Sequence, residues 1–212
     1  MIKSKFGILI IMFFVIINAQ AGGYKEMKDT SAFIVGLNKM TSSLITIEAE
    51  FRQIKNLSML SDKVISKGTF HYKKTDMIRW QYILPYEYLL IINKDKVFVK
   101  DENKSSKFDI KSNKVFRKVN DLLSDCMKGT VLNKRKEYKV LFFENEINFM
   151  AKLYPLEKNT RDFISTIELY FDKKDFSINK VIIIEPAGDN TEISFTQKKI
   201  NQPIADEKFR IK

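Results

Sequence analysis

The sequence predicts an α+β protein built mainly on an antiparallel sheet, of the sandwich or barrel kind. Three observations predict it. From Ile45 onward apolar and polar residues alternate with a period of two, as Ile47, Ala49 and Phe51 do against Glu48, Glu50 and Arg52. Short links join most of the alternating runs, which suits antiparallel neighbours and not the long crossovers of parallel pairs. Two stretches break the pattern with apolar residues three and four apart and read as helices.

The chain of 212 residues opens with Lys3 and Lys5, an apolar run from Phe6 to Ile17, and Ala19-Gln20-Ala21. This is the order of a signal peptide, residues 1–21, cut after Ala21. A membrane anchor is the alternative, but a spanning helix needs about 20 apolar residues and this run is shorter. No cysteine stands near the cut, so the lipid-attachment pattern of a lipoprotein is missing and the mature chain is expected to be soluble. One domain, residues 22–212, accounts for the rest. Lys and Arg number 37 against 26 Asp and Glu, a net charge of +11; without Lys3 and Lys5 the balance is 35 against 26, or +9. Export and the scatter of the lysines argue against a nucleic-acid partner and leave anionic lipid or acidic proteins. Cys126, the one cysteine, has no disulfide partner and reads as a small buried hydrophobe.

Met27, Phe33, Ile34, Leu37, Met40 and Leu44 form a helical stripe over 24–44, with Thr30 or Ser31 at its cap. Strands follow near 45–57, 64–74, 77–84, 86–92, 95–101, 105–111, 138–144, 147–154, 164–172, 178–185 and 190–199, eleven in all. Turn signals separate them, among them Asn93-Lys94-Asp95 and Gly188-Asp189-Asn190. Between the sixth and seventh strands Phe116, Val119, Leu123, Cys126 and Met127 make a second helical stripe closed by Gly129.

The order of a helix, Phe51-x-Gln53, Gly68 opening a strand, a basic patch before Arg79-Trp80, Pro85-Tyr86-Glu87 and Lys96-Val97-Phe98 resembles the LolA family of periplasmic lipoprotein carriers. The ending, Thr191 to Phe195 followed by Asn201, Ile204 and Phe209, is similar to that family's last strand and tail. The resemblance implies an incomplete β-barrel of about eleven strands with a helical lid. It also implies an apolar cavity for acyl chains, an inner-membrane ABC-type extractor that supplies lipoproteins, and an outer-membrane acceptor. A monomer without cofactors is expected, in the periplasm of a Gram-negative bacterium. Where the family carries Arg-Pro before the tryptophan this chain has Lys74 and Thr75. Lysine keeps the charge of that lid latch without its planar fork.

Parity assigns the cavity wall. Phe70 and Tyr72 share a face with Lys74, and Ile78, Trp80 and Tyr82 share one on the next strand; Leu90, Ile92, Phe98 and Phe51 are further wall candidates. Lys74 would then stand at the rim. The same alternation fills the core of ordinary β proteins, but a single layer of strands with two short helices leaves its concave side to be filled.

Other functions are weaker. His71, the only histidine, falls on the face opposite the proposed wall, where a hydrolase would have to assemble its triad outside. No Cys/His spacing suits a metal, so no catalytic or metal residues are expected and the protein is read as not an enzyme. A lipid- or lipoprotein-sensing module of the same fold is the remaining alternative.

Overall fold

The computed structural model describes residues 23–59, 62–74, 77–110, 121–122 and 124–211. The expected signal peptide lies outside them. So does most of the second helical stripe, including Phe116, Val119 and Leu123, although residues 121–122 and 124–128 are helical.

The described residues form twelve strands: β1 (Lys25–Glu26), β2 (Thr46–Asn56), β3 (Val64–Lys73), β4 (Met77–Leu84), β5 (Tyr88–Asn93), β6 (Lys96–Lys100), β7 (Ser105–Asp109), β8 (Tyr138–Glu144), β9 (Asn148–Pro155), β10 (Thr166–Asp172), β11 (Ile178–Ile184) and β12 (Asn190–Ile200). They form one sheet in the order β1-β8-β9-β10-β11-β12-β2-β3-β4-β5-β6-β7, antiparallel throughout. Among the described residues its edges, β1 and β7, do not pair with each other, so the barrel is incomplete. Eleven strands match the periodic runs. The twelfth, β1, is two residues long and pairs with Phe143 and Glu144, too short to show any period.

The helix α1 spans Ser31–Ser43. It starts later than the stripe because the Asp29 carboxylate accepts the Ser31 N–H at 2.8 Å and turns the chain there. Thr30 holds the cap position without a side-chain capping bond. Phe33 and Leu37, one turn apart, are buried, while Val35 points outward at 68 % exposure. The Phe33 ring meets Phe142, Phe149 and Phe171 from β8, β9 and β10, and burying it stabilises the packing by about 1.5–3 kcal/mol. Thr41 Oγ1 donates to the Lys128 carbonyl at 2.7 Å, tying α1 to the helical residues 124–128. These lie over β3, where the Lys128 ammonium sits 5.5 Å from the centre of the Tyr72 ring. Both helical pieces thus cover the concave side, and one apolar cluster runs from Phe33 and Leu153 through Phe195 to Trp80 and Val97.

Candidate functional site

The concave side of β2 to β6 carries the residues that parity singles out. Phe51, Phe70, Tyr72, Ile78, Trp80 and Ile92 are buried, and Tyr82 and Leu90 are partly buried against the same cluster. Their rings form one box: Phe51 to Trp80 is 5.2 Å, Phe51 to Tyr82 4.9 Å, Phe70 to Trp80 5.1 Å and Trp80 to Phe195 6.2 Å between centroids. Such tilted and edge-on contacts are the favourable ones for aromatic quadrupoles. Tyr82 donates its hydroxyl to Gln53 Oε1 at 2.9 Å, and burial pushes its pKa up to about 12. The buried indole N–H of Trp80 meets no acceptor among the described residues.

Phe98 does not belong to this wall. The register pairs it with Ile91 and Lys107, whereas Leu90 pairs with Val99 and Ile92 with Val97. Val97 and Val99 therefore face the concave side and Phe98 the convex one. Lys-Val-Phe-Val-Lys is apolar on both faces, so its parity cannot be read from the sequence; the hairpin pairing Asn93 with Lys96 sets it.

Lys74 is exposed, one residue beyond the end of β3, and its N–H donates to the Ile45 carbonyl at 2.7 Å. The neighbouring Lys73 is the engaged one, donating to the Ile204 carbonyl at 2.9 Å and pairing with Asp206. Cys126 is buried, and burial pushes its thiol up to about 12, so it stays protonated and packs as a hydrophobe.

The resemblance implies an open apolar cavity, whereas the void that the described residues leave beside α1 is small. The apolar void beside Met40, Leu44, Ile178, Phe195 and Ile200 has about 10 Å³, room for about one water. Among the described residues, the protein's own side chains pack around that void in one apolar cluster.

On the convex side the tail folds back as a single turn, Asp206–Phe209, against β4 and β5. Phe209 is fully buried there, and Asn93 Nδ2 donates to its carbonyl at 3.1 Å. Arg79 donates to the Lys208 carbonyl at 3.2 Å. Under this turn His71 is 6 % exposed, its Nε2 2.9 Å from Lys208 Nζ and 3.4 Å from Glu48 Oε2. A burial this complete on the outer face has no signal in period two; the sequence cue was the apolar pair Ile204 and Phe209 in the tail.

The LolA family model, described as outer membrane lipoprotein carrier protein LolA, matches residues 42–212. The chain belongs to the LolA family. An outer-membrane lipoprotein carrier protein of Pseudomonas paraeruginosa is 23 % identical over 183 residues, 85 % of this chain and 84 % of that protein. A conserved protein of Thermus thermophilus shares the fold with a TM-score of 0.51 at 9 % identity, over 86 % of this chain and 94 % of that one. A LolA superfamily protein of Nitrosomonas europaea aligns over 84 % of this chain and 97 % of its own at 7 % identity, with a TM-score of 0.43. The open antiparallel sheet with helices on its concave side is the fold of this LolA family member.

Proposed function

We propose that this LolA family member is a periplasmic carrier, which takes the acyl chains of lipoproteins against its concave face and shuttles them from the inner to the outer membrane. The observation that carries the reading is the aromatic box of Phe51, Phe70, Trp80 and Tyr82, extended by Tyr72, Ile78, Leu90 and Ile92 and covered by helical pieces. Leaving an acyl chain in water costs about 0.8 kcal/mol per methylene, so a carrier needs a large apolar surface. It also has to release the chain, and that favours a face whose cover lifts over a cavity of fixed shape. The empty state then keeps its box dry with its own helices, and the loaded state exchanges helix contacts for acyl contacts.

In this account the mature chain begins at Gly22 in the periplasm and works as a monomer between an ABC-type extractor and an outer-membrane acceptor. Lys74, exposed beside the wall, belongs to the rim, where its charge meets the polar linkage of the cargo or the carbonyls of the lid. The test is release. Inner membranes carrying a labelled triacylated lipoprotein are incubated with the purified mature protein, and the supernatant is analysed for a soluble one-to-one complex. Lipoprotein that stays in the membrane fraction at every protein concentration contradicts the proposal.

A further inference from the structure

Strand β12 changes face part-way along. Phe195 pairs with Phe51 and Thr196 with Glu50, but the next pairs are Lys199 with Glu48 and Ile200 with Ile47. Gln197 and Lys198 therefore stand together opposite Ala49, two residues against one, which is a β-bulge. Gln197 takes the left-handed conformation, φ 52°, unfavourable for a residue with a side chain. An unbroken strand would pass the inward parity of Ile193 and Phe195 to Gln197 and turn Lys198 out to solvent. The bulge turns Lys198 inward instead, to the border of the apolar void lined by Met40, Leu44, Met127 and Phe195.

Among the described residues, the groups at hydrogen-bond distance of the ammonium are neutral. Lys198 donates to Ser177 Oγ and Asn179 Oδ1, with the Ile178 carbonyl at 3.4 Å. The carboxylates stand one step behind: the Ser177 hydroxyl and N–H donate to Asp175 Oδ1 at 2.6 and 2.8 Å, and Asn179 Nδ2 is 3.5 Å from Asp172 Oδ2. Burial holds this lysine below the usual ammonium pKa. A half-buried cation is costly to fold. Here a backbone irregularity sets it at the edge of an apolar face, where a molecule with a long apolar body and one oxygen-bearing end would place that end.

We propose that Lys198 binds the polar head of an acyl ligand, through the carbonyl or carboxylate oxygen next to the chain, while the hydrocarbon lies along Ala49, Phe195 and the aromatic box beyond. This rests on the proposed acyl-binding function. Ser177 and Asn179 hold the ammonium in the empty state, and the ligand oxygen takes the place of one of them. The parts of the ligand are thereby oriented: head at the end of the wall where α1 finishes, chain toward Trp80.

Three probes with the same fluorescent polyene chain test it: the free fatty acid, its methyl ester, and the hydrocarbon without a head. Wild type binds the acid and the ester more tightly than the hydrocarbon. Lys198→Met weakens a head-bearing probe about tenfold or more, leaves the hydrocarbon unchanged, and keeps the thermal midpoint at or above that of wild type. Lys198→Arg restores the preference. Loss for the acid alone assigns a carboxylate head; equal loss for acid and ester assigns the carbonyl. Wild type that binds all three probes alike overturns the proposal, as does a Lys198→Met variant that weakens all three equally or none. Should wild type bind none of them, the acyl-binding function falls and takes this site with it.

Discussion

Phe51 and Gly68 stand opposite each other on β2 and β3, and the missing side chain of one makes room for the ring of the other. A Cβ at Gly68 would lie 2.8 Å from Phe51 Cε1 and 1.9 Å from the Gln81 carbonyl oxygen. The ladder to β4 shifts register at the same place, between Lys67 and Gly68. Gly68 thus lets β3 and β4 approach under the aromatic box.

Gly68→Ala therefore destabilises the protein, because the clash is with backbone and cannot be relieved by a rotamer change. The expected loss is about 1–3 kcal/mol, read as a lower urea midpoint with an unchanged slope. A midpoint equal to that of wild type would mean that the two strands have slack.

Phe33 fastens α1 to β8, β9 and β10 and is fully buried. Phe33→Ala is expected to cost about 3–5 kcal/mol, measured by the same denaturation. A loss under about 1 kcal/mol would show that α1 contributes little to the closed state.

Acidification loosens the tail. Burial first, then the Lys208 charge, holds the His71 pKa below its ordinary value of 6.5, with Arg79 acting in the same direction and Glu48 against it. The unfolded chain therefore takes up a proton before the folded one does, so the stability His71 contributes is present above about pH 6.5 and is lost as pH falls through its lower folded value. Glu48, held at about 2 chiefly by its hydrogen bond from Lys199, contributes above its ordinary 4.5 and loses that as pH falls toward 2. Urea midpoints followed from pH 8 to pH 3 should fall in two stages. His71→Gln should remove the upper stage and keep the lower one, and an upper stage that survives the substitution would place it elsewhere.

The sequence made the sheet legible because a solvent-facing strand repeats its pattern every second residue, and eleven runs did so. Two features escaped it for the same reason: period two carries no information where a strand is apolar on both faces, as around Phe98, or where a bulge resets the parity, as at Gln197. The close packing of the aromatic box was equally hidden. Phe70 and Trp80 show the same pattern whether they line a cavity or fill it, and only the packing of rings from several strands decides. Phe51, Phe70, Tyr72, Ile78, Trp80, Tyr82, Leu90 and Ile92 were legible as one face, while their use remains the proposal above.

Trp80, the only tryptophan, sits in the middle of that face at 5 % exposure. Its emission should be that of a buried indole in the empty protein and change on titration with an acyl ligand, saturating at one ligand-binding event. Emission unaffected by a ligand shown to be bound would put the ligand elsewhere.

The central claim is that the concave face, and not the convex one, holds the acyl chains of the cargo. Replacing Phe70, Tyr82, Leu90 and, on the opposite face, Phe98 one at a time with a photoreactive amino acid, and irradiating the complex with a lipoprotein labelled in its acyl chains, tests it most directly. The account predicts acyl crosslinks from positions 70, 82 and 90 and none from 98. Crosslinks from 98 alone, or equally from all four, would contradict it.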